Sequence, residues 1–133
     1  MNDTGTRIST LWIVVMFNMA FADIVGFLQP GALQGVEGPG GVPITQGLLL
    51  VVALLLEIPL AMIFVSRILK PVPNRWANIV AAVITCVFVV GGGSMELPFY
   101  AFFAVVEVAC MALIVWSVWS RRSSETVAPR LAN

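Results

Sequence analysis

Four long apolar stretches, separated by short polar or glycine- and proline-rich breaks, organise this chain. A helix needs about 20 apolar residues to cross ~30 Å of hydrocarbon. By that measure the pattern predicts helices over about 9–28, 44–68, 76–90 and 97–119. The breaks suit their places. The segment Pro30 to Pro43 holds five glycines and three prolines, with Glu37 its only charge, and does not continue a helix. Lys70-Pro71-Val72-Pro73-Asn74 reads as a short stop, with Asn74 placed to cap the third helix. Gly91-Gly92-Gly93-Ser94 ends that helix, and Pro98 suits the first turn of the fourth. Pro59 lies inside the second helix, where it removes one backbone donor and predicts a kink. A cleaved leader is the rival reading of the first stretch. Asn18 and Asp23 within it, and the lack of a small-x-small cleavage site, favour a retained helix.

Composition strengthens this reading. The 133 residues are 59% apolar and 11% charged, against roughly 25% charged in soluble domains, and the mean hydropathy is +0.98. The expectation is an all-α integral membrane protein: a four-helix transmembrane bundle forming a single domain over residues 1–133. Met1 to Thr6 and the tail 121–133 are expected to be flexible.

Net charge is zero, but its distribution is uneven. The bases are Arg7, then Arg67, Lys70 and Arg75, then Arg121, Arg122 and Arg130, so both termini and the middle connection hold all of them. The positive-inside rule puts both termini in the cytoplasm. Trp12, Trp76, Trp116 and Trp119 fall at the same ends, as an interfacial aromatic belt predicts. These bases flank apolar spans instead of lining one face, so nucleic acid is not an expected partner.

Three acids break the apolar pattern: Asp23, Glu57 and Glu107, with Asn18 close to their level. A charge at the bilayer centre costs about 2.5–3.5 kcal/mol on insertion scales. No lysine, arginine or histidine lies at comparable depth. These acids must therefore be protonated, hydrated, bound to a cation or hydrogen-bonded to one another. Asp23, Glu57, Glu107 and Asn18 are the candidate intramembrane polar site. Glu57–Val65 and Glu107–Val115 align as phrases, but the first and third helices show no matching similarity, so chance resemblance is favoured over a repeat.

Other chemistry is sparse. There is no histidine, so His-ligated haem and zinc are excluded, and no cofactor or metal is expected. Cys86 and Cys110 form no Cys-x-x-Cys pair and read as packing residues, although a bridge is geometrically open if the third and fourth helices touch. Met16, Met19, Met62 and Met111 read as core filler, not copper ligands. Ala20, Ala22 and Gly26, and Ala77, Ala81, Ala82 and Gly91, permit close helix approach.

Several phrases resemble an uncharacterised group of short bacterial four-pass membrane proteins, grouped as a domain of unknown function. They are Phe17-Asn18-Met19, Ala22-Asp23-Ile24, Gly26-Phe27, Pro30-Gly31, Leu56-Glu57-Ile58-Pro59, Ala61-Met62 and Ser66-Arg67 in the first half. Asn74-Arg75-Trp76-Ala77-Asn78-Ile79, Gly91-Gly92-Gly93, Glu107-Val108 and Cys110-Met111 follow, so the resemblance runs from Arg7 to Trp119. It implies a multi-pass protein of the bacterial inner membrane and no established activity. The architecture is also similar to DoxX-type four-helix membrane proteins, a fold-level analogy that carries no function.

Three functions fit these residues. One is a small proton-coupled transporter or ligand-binding protein whose acids carry protons or hold a cationic solute. The second is a structural or accessory membrane subunit with protonated acids hydrogen-bonded between helices. The third, an intramembrane lipid or quinone enzyme, lacks a nucleophile motif, a histidine and a cofactor signature. The expected partners are the lipid bilayer, a small solute or cation, and a second copy or other subunits of a membrane complex.

The charge asymmetry makes a direct prediction. In right-side-out vesicles of a Cys86→Ser, Cys110→Ser background, Gly38→Cys reacts with an impermeant maleimide and Ser124→Cys does not. The opposite labelling pattern overturns the orientation.

Overall fold

A computed structural model describes residues 3–31, 43–92 and 97–131, with residues 3 and 121–131 described by backbone alone. It contains α1 (Asp3–Phe27), α2 (Gln46–Ile68), α3 (Pro71–Gly92) and α4 (Pro98–Leu131), and no strand among the described residues. All four are long and apolar enough to cross a membrane. The protein is a four-helix membrane bundle. The central part of the glycine-rich segment after α1, and Gly93 and Ser94 after α3, lie outside the described residues.

The helix ends follow local chemistry. Thr45 caps α2, its side-chain oxygen accepting the Leu48 N–H at 3.1 Å. Pro98 opens α4, where its missing N–H would have had no partner in any case. The third helix starts earlier than its apolar pattern implies, at Pro71 instead of Trp76. Pro71 and Pro73 both fall in the first turn, where backbone N–H groups are orphaned and proline is tolerated. The Lys70 carbonyl accepts the Asn74 N–H at 3.0 Å, so Lys70 occupies the cap and Asn74 lies inside the helix, buried. The fourth helix continues past Trp119 to Leu131. Pro59 is buried within α2, which is helical on both sides of it.

The helices form a ring. α1 packs on α2 and α4, and α3 packs on α2 and α4. The core runs down the middle through Ile8, Trp12, Val15 and Met19 of α1, with Met62, Ala81, Ala82, Met111 and Ile114 from the other three. Both cysteines are free thiols in this ring, Cys110 buried and Cys86 partly so.

Polar side chains knit together the end of the ring where α1 begins. Trp12, 0% exposed, donates its Nε1–H to Asn78 Oδ1 at 2.7 Å, a bond that crosses the ring from α1 to α3. Asn78 Nδ2 donates to Asn74 Oδ1 at 2.6 Å and to the Asn74 carbonyl at 2.8 Å. Asn74 Nδ2 in turn donates to the Ser66 carbonyl of α2 at 2.8 Å. Ser9 Oγ donates to the Ile63 carbonyl at 2.7 Å and accepts from Arg67 Nε at 2.8 Å. Gly5 permits this closeness: a Cβ there would lie 3.1 Å from the Ser66 carbonyl oxygen. On the far side the Arg75 guanidinium sits 5.0 Å from the Trp119 ring and 5.7 Å from Trp76, joining α3 to α4 by cation–π contact.

One aromatic departs from its expected place. Trp76, Trp116 and Trp119 are exposed, as interfacial residues are, but Trp12 is a core residue. Its indole N–H found a partner across the ring, so burial removed no hydrogen bond.

Asn78→Ala leaves the Trp12 N–H and Asn74 Oδ1 unpaired in an apolar interior. The expected loss is about 1–3 kcal/mol, read by steric-trap unfolding in bicelles. A variant as stable as the parent removes Asn78 from this role.

Candidate functional site

Above the polar end the ring opens into a cavity of about 290 Å3 to which all four helices contribute. α1 supplies Met19, Ala22 and Asp23, and α4 supplies Tyr100 and Glu107. The wall from α2, together with Ile44 two residues before it, is aliphatic as far as Leu56; that from α3 is Phe88, Val89 and Gly92. Because Ile44, Gly92 and Tyr100 lie near helix ends, the cavity occupies the half of the bundle opposite the two termini.

Glu107 sits at the inner limit of this space. It is 3% exposed. Asn18 on the neighbouring helix donates its Nδ2–H groups to Glu107 Oε1 at 3.1 Å and to the Phe103 carbonyl at 2.8 Å. The second bond fixes the amide, and the first presents a donor to the carboxyl group. Asn18 is therefore a positioning residue that holds one side of the carboxyl while the other side faces the cavity. Asp23, five residues on, is exposed and lies at the rim, roughly 7 Å further along the axis. Tyr100 completes the polar lining, its Oη donating weakly to the Val89 carbonyl at 3.4 Å.

The four residues singled out in the sequence thus part company. Asp23 and Glu107 line one cavity, and Asn18 is joined to it through its bond to Glu107. Glu57 does not line it and is exposed on the outer surface of α2, at the midpoint of that helix. Pro59, two residues later, faces the bundle interior and is buried.

Thr85 is a polar residue the sequence reading passed over. It is buried, and its Oγ1 has no hydrogen-bond partner among the described residues. α1 and α3 run in the same direction and are tied together at Trp12 and Asn78. Asn18 lies six residues beyond Trp12, and Thr85 seven beyond Asn78, so both stand roughly 9–10 Å above that bond. Thr85 also shares the buried stripe of Asn74, Asn78, Ala81 and Val89. The hydroxyl is therefore at the depth of Glu107 and on the inner face. The signal was present as polar residues at helical spacing, 74, 78 and 85, within an apolar helix.

Chemically, the cavity offers two carboxyl groups, a phenol and an apolar wall. Among the described residues, no base lines it. Such a site suits a proton, or a cation with an apolar body.

The model of a family described as a family of unknown function (DUF6326) matches residues 2–127. No curated protein and no solved structure matches the chain.

The Asn18 bond has a spectroscopic signature. With the Glu107 carboxyl band assigned by its loss in Glu107→Gln, Asn18→Ala shifts that band by removing a hydrogen-bond donor, while Glu57→Gln leaves it in place. An unmoved band in Asn18→Ala means that the amide does not hold the carboxyl group.

Proposed function

The chain belongs to this family of unknown function, and we propose that it is a small proton-coupled transporter or binding protein for a cationic solute in a bacterial inner membrane. The observation that carries this reading is a buried carboxyl group, Glu107, at the inner end of a cavity that no base lines among the described residues. An acid in hydrocarbon is neutral only when it holds a proton or a cation, and intramembrane acids mark proton and ion pathways for that reason.

The roles follow from the geometry. Glu107 alternates between a proton and the solute cation: the cation enters, the carboxyl releases its proton, and the two states carry the same net charge. Asn18 keeps the carboxyl oriented in both. Asp23 at the rim attracts cations to the mouth, and Tyr100 offers a hydroxyl along the way. Among the described residues, the other titratable groups facing the site are Asp23 from α1 and Tyr100 from α4; α2 and α3 line it with apolar residues. At about 290 Å3 the space lies at the small end of ligand cavities, ~300–1,000 Å3. It suits a compact amine or quaternary ammonium ion better than a drug-sized one. With both termini in the cytoplasm, the cavity lies in the outer half of the bundle and the Trp12–Asn78 layer in the inner half.

A second reading draws on the same Asn18 bonds, which bridge α1 and α4. As a structural or accessory subunit, the protein would use Glu107 as a permanently protonated strut between helices. One experiment separates the two. In weakly buffered proteoliposomes, a panel of small ammonium ions is expected to release about one proton per bound cation, and Glu107→Gln abolishes the release. Infrared titration of the same samples shows the Glu107 carboxyl losing and regaining its proton reversibly. A carboxyl that stays protonated into strong alkali, with no release by any cation, establishes the strut instead.

A further inference from the structure

Glu57 is the polar group that the cavity leaves unexplained. It lies at the midpoint of α2, on the surface facing lipid, with Arg67 ten residues or roughly 15 Å further along the helix. A carboxyl group in that position has neither water nor a base to meet, and one at the centre of the hydrocarbon is costly unless it finds a partner.

The face around it has the form of a helix interface. α2 is the least covered of the four spans, with 11% of its apolar window buried against 28–33% for the others. Leu50, Leu54, Glu57, Ala61, Phe64 and Ile68 are all exposed and follow one another at alternating spacings of four and three. That spacing keeps one seam in register along two parallel helices. Ala61, one turn from Glu57, is small enough for two backbones to approach beside the carboxyl.

We infer that this seam joins two copies of the chain, with Glu57 of each copy hydrogen-bonded to the same residue of the other. Symmetry selects this occupant. Copies inserted in one orientation are related by a twofold axis along the membrane normal, so each residue near the axis meets its own counterpart at the same depth. A protonated carboxyl both donates and accepts, so two of them satisfy each other through a pair of O–H···O bonds without any base. The inference is independent of the reading of Glu107, which lies inside the ring.

The test uses the full chain in proteoliposomes, in a Cys86→Ser, Cys110→Ser background. A short bifunctional thiol reagent is expected to cross-link Ala61→Cys into dimers and to leave Val105→Cys, on the exposed face of α4, monomeric. By energy transfer between labelled copies, Glu57→Leu weakens the dimer about three- to twenty-fold, the range of measured interhelical polar contacts. Glu57→Gln, whose amide also donates and accepts, stays within about threefold of the parent. Equal cross-linking at both positions, or none at Ala61→Cys, overturns the dimer and leaves the seam to lipid or another membrane protein. An unchanged dissociation constant in Glu57→Leu, or an equal loss in Glu57→Gln, overturns the carboxyl pair.

Discussion

The hydrogen bond from Trp12 to Asn78 spans the ring, and the arrangement of the other polar groups follows from it. In hydrocarbon a polar side chain must find its partner within the protein, because no water stands ready to replace a missing one. Asn78 accepts from α1 and donates to Asn74, and Asn74 donates to the backbone of α2. Three helices are thereby held at one level by bonds whose loss strands a donor or an acceptor. Apolar packing alone is a weak source of register here, since lipid tails compete for the same surfaces.

Concentrating these bonds at one end has a consequence at the other. The helices are drawn together where Gly5 lies against the Ser66 carbonyl, and they enclose a cavity where α1 ends and α2 begins. Asn18 and Glu107 stand between the closed half and the open half. Thr85, at their depth and without a hydrogen-bond partner among the described residues, adds a hydroxyl to that middle layer. The molecule is therefore polar in two tiers: a densely bonded tier near the termini and a sparser one above it.

Glu57 and Glu107 make the same point by contrast. Both lie near the middle of an apolar span in similar phrases, yet one faces outward and the other is buried beside the cavity. The similar phrases thus stand in different environments. The direction in which a helix faces decides whether its acid lines a cavity or meets a neighbouring molecule.

Much of the architecture was legible in the residues themselves. Apolar length determines how many helices cross hydrocarbon, and prolines and glycines determine where they stop, because these are local properties of the backbone. The same rules, applied too strictly, delayed the third helix to Trp76; two prolines that look like a stop are tolerated in a first turn, and only the path of the chain shows which applies. Depth was legible too, since 1.5 Å per residue places Asn18, Glu57 and Glu107 near one level. Azimuth was not. Whether Trp12 turns to lipid or to Asn78, and whether an acid turns inward or outward, depends on how four helices are rotated against one another. Within strongly apolar helices, hydropathy says little about that rotation, because nearly every face is apolar. A few long-range polar contacts, with partners 66 to 89 residues apart in the chain, determine it instead.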